Sequence, residues 1–159
     1  MTGVQTCALP IYFVLPERGL HEEPFLPPPV VKSMIHSAKQ NARTILIVED
    51  DPMTRMMATY AFQDAGFAVF EAANVSEALS ILAVSSADAL FTDIEMPGGI
   101  NGASLARQTR ERWPWIKVAV TSGEATPPAG AMPHDARFFP KPYNIRRVVD
   151  HIQRITLAA

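Results

Sequence analysis

From Arg43 onward the sequence predicts one α/β domain, a doubly wound five-stranded parallel sheet flanked by helices. Three observations predict it. Short apolar or β-branched runs recur along the chain, stretches with helical apolar spacing and capping residues alternate with them, and acidic, hydroxyl and lysine residues gather at the carboxyl ends of the runs. Parallel neighbours need crossover connections, and the alternation supplies them.

The first run, ILIV (Ile45 to Val48), is continuous rather than alternating, as in strands covered on both faces. Glu49, Asp50, Asp51 and Pro52 end it. Asp51 caps a helix with Pro52 at its first position, and Met53, Met56, Met57, Tyr60 and Ala61 recur at helical spacing until Gly66. The methionines read as core side chains. FAVF (Phe67 to Phe70) is the second strand; Asn74 with Glu77 then opens a helix carrying Ala78, Leu79 and Leu82. DALF (Asp88 to Phe91) is the third strand, followed by a glycine-rich loop and a helix from Gly102 to Arg112 that Trp113-Pro114 stops. IKVAV (Ile116 to Val120) and ARFF (Ala136 to Phe139) are the fourth and fifth. The last helix puts Ile145, Val148, Val149, Ile152 and Ile155 on one stripe and Arg146, Arg147, Asp150 and Arg154 on the other. Between Thr121 and Phe138, Pro127, Pro128, Pro133 and Gly130 interrupt any ordinary helix, so the fourth helix is expected to be short or missing.

Composition bounds the function. At 159 residues and 48% hydrophobic, the chain suits one domain with a real core. A formal charge of -2 with scattered Lys and Arg lacks the basic footprint of a nucleic-acid binder. Cys7 is the single cysteine, which excludes an internal disulfide or a cysteine zinc site, and His21, His36, His134 and His151 lack ligand spacing. The domain reads as reducing and cytoplasmic. No apolar run nears the roughly 18 residues of a membrane span, and no secretory signal opens the chain. MTGVQTCALPI (Met1 to Ile11) resembles a translated sequencing adapter, and Tyr12 to Pro29 is proline-rich without a period. Residues 1–42 are therefore read as a non-native or disordered leader with Met34 as a native start, and residues 43–157 as the domain.

Chemistry gathers at the strand ends, where open α/β sheets bind ligands. Glu49 and Asp50 follow the first strand, Asp93 the third, Thr121 lies in the fourth and Lys141 follows the fifth. Singly, each is bland: Asp51 is a helix cap, Asp93 a turn residue, Thr121 a strand-end hydroxyl, Lys141 a surface lysine. Together they suit metal-assisted phosphoryl chemistry, with carboxylates for a hard cation, a carboxylate nucleophile, and an ammonium and a hydroxyl for phosphoryl oxygens.

These residues resemble the receiver (CheY-like) domain of bacterial two-component response regulators. The likeness runs from about Arg43 to Leu157 through VEDDP, FTDIEMPGGINGASLA, VTSG and FFPKPY. It implies a CheY-like or flavodoxin-like sheet of order 2-1-3-4-5, with Asp93 as phosphoacceptor. Asp50 and Asp93 become the direct Mg²⁺ carboxylates, Glu49 the water-bridged acid and Glu95 a backbone-carbonyl ligand. Thr121 becomes the switch hydroxyl, Lys141 the phosphate-pairing lysine and Phe138 a switch aromatic buried inward, with a cis peptide before Pro142. A histidine kinase or histidine phosphotransfer protein is the implied phosphodonor and a further protein the output, with no nucleic acid and no membrane. The chain is then a switch rather than a turnover enzyme. Asn101 stands where the usual Asp-Gly has Asp, the MPGGINGA loop is one residue longer than the common form, and the interrupted fourth helix alters the output face. The Glu95 side chain is expected to lie over the phosphoryl group and hinder water. Other readings are a Mg²⁺-dependent aspartate-nucleophile phosphohydrolase, a flavodoxin-like cofactor binder, whose phosphate EDDPM would repel, and a receiver cut from a longer regulator or hybrid kinase.

Overall fold

The computed structural model describes residues 42–96, 101–123, 130 and 132–157. The leader up to residue 41, the glycine-rich part of the MPGGINGA loop, and Pro127 and Pro128 lie outside the described residues. Strands β1 (Thr44–Val48), β2 (Ala68–Ala72), β3 (Ala89–Asp93), β4 (Lys117–Ser122) and β5 (Arg137–Pro140) form one sheet of order β2-β1-β3-β4-β5. Every pairing is parallel. Helices α1 (Pro52–Asp64), α2 (Val75–Val84), α3 (Gly102–Arg112) and α4 (Ile145–Leu157) complete the doubly wound fold. Among the described residues no helix lies between β4 and β5, in line with the short or missing fourth helix expected.

The strands β2 to β5 each begin one residue later and run further than their apolar letters suggest. The ladder continues through polar side chains: Asp93 pairs with Thr121, and Ser122 with Pro140. Side-chain hydropathy falls away there, while backbone pairing does not. The helix starts follow the sequence closely. Asp51 accepts from the Thr54 amide and hydroxyl at 2.7 Å each, Asn74 from the Glu77 amide at 2.9 Å, and Asn101 from the Ser104 amide at 3.0 Å. Glu77 reaches back past the cap and accepts from the Ala73 amide at 2.8 Å, one residue before the reciprocal contact of a capping box. Gly66, at φ 87°, ends α1 in a conformation that side-chain-bearing residues rarely adopt.

The sheet separates two apolar layers. Leu46, Val48, Leu90 and Val120 pack with Leu82 and Leu105 of α2 and α3. Ile45, Ile47, Phe91 and Ala119 pack with Phe62 of α1 and Val148 and Ile152 of α4. Here one expectation is corrected. Met53 and Met57 are more than 60% exposed and Met56 is 39% exposed, so the methionines are a surface feature. Two stripes at helical spacing compete on α1, and the helix buries the one carrying Ala58, Thr59 and Phe62. Phe62 is fully buried edge-on against Phe67, with ring centroids 5.5 Å apart.

Gly102 is where α3 presses against β3. A Cβ on it would lie 1.7 Å from the Asp93 carbonyl oxygen and 2.8 Å from the Thr92 hydroxyl oxygen. Gly102→Ala is expected to lose about 2 kcal/mol, because displacing backbone costs more than the helix propensity of alanine returns; denaturant titration reads it. The opposite sign is expected at Thr109, fully buried in α3 with no partner for its hydroxyl among the described residues. Thr109→Val keeps the shape and removes an unsatisfied group, and by the same titration should gain about 1 kcal/mol.

Candidate active site

The sheet register assembles the site. Val48 pairs with Thr92, so Glu49 leaves β1 beside Asp93, the last residue of β3. Asp93 pairs with Thr121 of β4, and Ser122 pairs with Pro140, which delivers Lys141 to the same edge. The Lys141 amide donates to the Ser122 carbonyl at 2.8 Å, and the Lys141-Pro142 peptide is cis, as expected. One carboxylate oxygen from each of Glu49, Asp50 and Asp93 lies within 4.8 Å of the others. Into this cluster the Lys141 ammonium donates to Asp93 Oδ2 at 2.5 Å and to Glu49 Oε2 at 3.3 Å.

Electrostatics follow from that geometry. Burial holds the Glu49 carboxyl above the usual carboxylate range, with Lys141 opposing the rise and Asp93 adding to it. Burial works to lower the Lys141 ammonium, but its hydrogen bond to Asp93 and the charges of Asp93 and Glu49 outweigh it, leaving it above the ordinary lysine range. Both charges are thus tied to their neighbours. Thr121 is 1% exposed, and its hydroxyl has no partner among the described residues. A buried hydroxyl in that condition normally costs about 1–3 kcal/mol, so it is a group with bonding capacity held in reserve.

Of the residues singled out by sequence, the fold brings Glu49, Asp50, Asp93 and Lys141 into one cluster with Thr121 beside it in the ladder. Glu95 stands at the rim: its amide donates to Asp93 Oδ1 at 3.2 Å, while its carboxylate accepts from the Gly123 amide at 2.9 Å. Phe138 lies on β5 opposite Val120 and is half-buried, short of the full inward burial expected, because β5 is an edge strand.

Two participants escape sequence reasoning. Arg55 reaches back from α1 to the Glu49 and Asp50 carbonyls at 2.5 and 3.4 Å and pairs with Glu71 at 3.4 Å, tying the acidic loop to β2. Its only signal was a position one turn into the capped helix. Tyr143 packs edge-on against Phe91 at 5.6 Å; burial, aided by the Glu49 charge, pushes its phenol up to about 12. It braces the segment that carries Lys141.

The geometry has close counterparts. The chain is 34% identical over 117 residues to the sensor kinase CckA of Brucella abortus, a match covering 70% of this chain but 12% of that protein. It is 32% identical over 120 residues to the response regulator receiver protein CpdR of the same organism, covering 74% of this chain and 99% of CpdR. The response regulator TrrA of Thermotoga maritima, crystallised in complex with Mg²⁺ and BeF, superposes with a TM-score of 0.63 at 25% identity, over 71% of this chain and 98% of TrrA. The family model described as the response regulator receiver domain matches residues 45–153. With the parallel order β2-β1-β3-β4-β5 and the carboxylate cluster at its carboxyl edge, the chain belongs to the response regulator receiver family.

Proposed function

We propose that this receiver accepts a phosphoryl group on Asp93 and acts as a switch rather than a turnover enzyme. The observation that carries this reading is the joint placement of Asp93, Glu49 and Asp50 within 4.8 Å with Lys141 bonded to Asp93. In the transfer, an Asp93 carboxylate oxygen forms a bond to phosphorus. The donor's bond to phosphorus breaks, and the leaving group, imidazole or acetate, departs with the electron pair. Lys141 then exchanges a carboxylate partner for a phosphoryl oxygen. The unpartnered Thr121 hydroxyl donates to another, which draws β4 toward the site and alters the surface around Phe138.

The donor set, oxygen ligands alone, fits a hard divalent cation. Asp50, Asp93 and Glu49, with the Glu95 carbonyl, would hold Mg²⁺, which would supply charge to offset repulsion between Asp93 and the incoming group. The TrrA complex with Mg²⁺ supports that assignment.

A histidine kinase or histidine phosphotransfer protein is the donor in this reading. Met57 supports it, since it stands exposed on α1 and lines a cavity of about 550 Å³ with Thr54, Lys141, Pro142 and Tyr143. An apolar partner face seated there lies next to the lysine that holds Asp93. The likeness to CckA supports a second reading, the same chemistry performed as the receiver segment of a hybrid kinase. A reducing, cytoplasmic setting belongs to either version, and no described helix is long and apolar enough to cross a membrane.

Incubated with labelled acetyl phosphate and Mg²⁺, the parent should take up phosphate and Asp93→Asn should take up none; equal uptake by the two refutes the assignment. Chelating the metal should slow uptake by about 100-fold. For the donor face, Met57→Glu should slow transfer from a phosphorylated histidine kinase about tenfold, the scale of one interface anchor, while uptake from acetyl phosphate stays near the parent rate. An unchanged kinase rate would place the donor elsewhere.

A further inference from the structure

The Glu95 carboxylate is not needed by the chemistry above, which uses only its backbone. It leaves the β3 edge of the site and accepts the Gly123 amide, 28 residues away, at 2.9 Å. Gly123 is the first residue past β4, and the contact is close: a Cβ there would stand 2.9 Å from the same Glu95 oxygen. The bond therefore spans the mouth of the site. On one side of it lies Asp93, whose Oδ1 accepts the Glu95 amide at 3.2 Å. On the other lies Thr121, two residues before Gly123, buried and without a hydroxyl partner. Among the described residues no lysine or arginine pairs with the Glu95 carboxylate.

We propose that Glu95 is a positioning residue, a latch that holds Gly123 while Asp93 is unmodified and lets go when Asp93 is phosphorylated. This rests on Asp93 being the phosphoacceptor. Converting a carboxylate to an acyl phosphate raises the charge at Asp93 from one negative to two, and adds bulk, two residues from the Glu95 carboxylate. Like-charge repulsion between the two groups favours separation, and the hydrogen bond to the Gly123 amide is what separation breaks. The release acts where the chain leaves β4, so the charge at Asp93 reaches the start of the β4-to-β5 connection directly. Movement of Thr121 toward the phosphoryl group pulls on the same three residues. A side chain at that position would have to displace the Glu95 carboxylate, the movable end of its side chain.

Amide hydrogen exchange of Gly123, read by NMR on the full chain, tests both halves. In unmodified protein Glu95→Ala should speed Gly123 exchange by about fivefold, the scale of one exposed charge-assisted hydrogen bond; exchange equal to the parent overturns the latch. With Mg²⁺ and acetyl phosphate, from which acetate leaves as Asp93 takes the phosphoryl group, the parent's Gly123 should speed up by the same factor. Glu95→Gln, which keeps an acceptor oxygen without the charge, should retain slow exchange in both states. Slow exchange in a parent shown by mass to carry phosphate overturns the release. A parent that gains no phosphate mass overturns the phosphoacceptor reading and the release with it, while the Glu95→Ala comparison still decides the latch.

Discussion

The contact between the Lys141 ammonium and Asp93 makes the rest of the site tenable. Three carboxylates within 4.8 Å repel one another by on the order of 3 kcal/mol per pair at an effective dielectric of about 20, and Glu49 and Asp93 are also almost wholly buried. Without a cation, such a cluster would protonate or open. Lys141 offsets part of the repulsion by bonding two of the three acids, but one ammonium does not neutralise three carboxylates. The remaining negative charge is what a divalent cation answers, and the arrangement is thus primed for metal by its own imbalance.

That contact depends in turn on the sheet. Each participant comes from the carboxyl end of a different strand, and the parallel register fixes those ends side by side. Order β2-β1-β3-β4-β5 leaves β1, β3, β4 and β5 consecutive, so the acids, the hydroxyl and the lysine fall in spatial sequence along one edge. β3, buried throughout, ends in Asp93, and β1, buried but for Thr44, leads directly into Glu49 and Asp50. Lys141 follows the edge strand β5.

How much of this could be read from the letters depends on what each letter had to signal. The caps Asp51 and Asn74 were legible, since they act locally through their own side chains; the cap at Asn101 was not read from the sequence, where that residue stood out only as a replacement for Asp. Strand identity was legible from short apolar or β-branched runs, but strand ends were not, because Asp93, Thr121 and Ser122 join the ladder through backbone groups that hydropathy ignores. The methionines misled because α1 carries two stripes at the same spacing, and only the tertiary fit of Ala58 and Phe62 against the sheet chooses between them. Asp93, Lys141 and their neighbours were found through residue type at strand ends. Arg55 and the Glu95 contact with Gly123 were not, because backbone acceptors and donors carry no sequence mark.

Lys141, the first residue past the short edge strand β5, needs fixing from some direction. Here its amide bonds to the Ser122 carbonyl, Tyr143 two residues on packs against Phe91 of β3, and Phe139 two residues before packs against His151 of α4 at 5.7 Å. All three supports lie on β3, β4 or α4, elements that are intact. The position of Lys141 therefore hangs on the sheet and its α4 face.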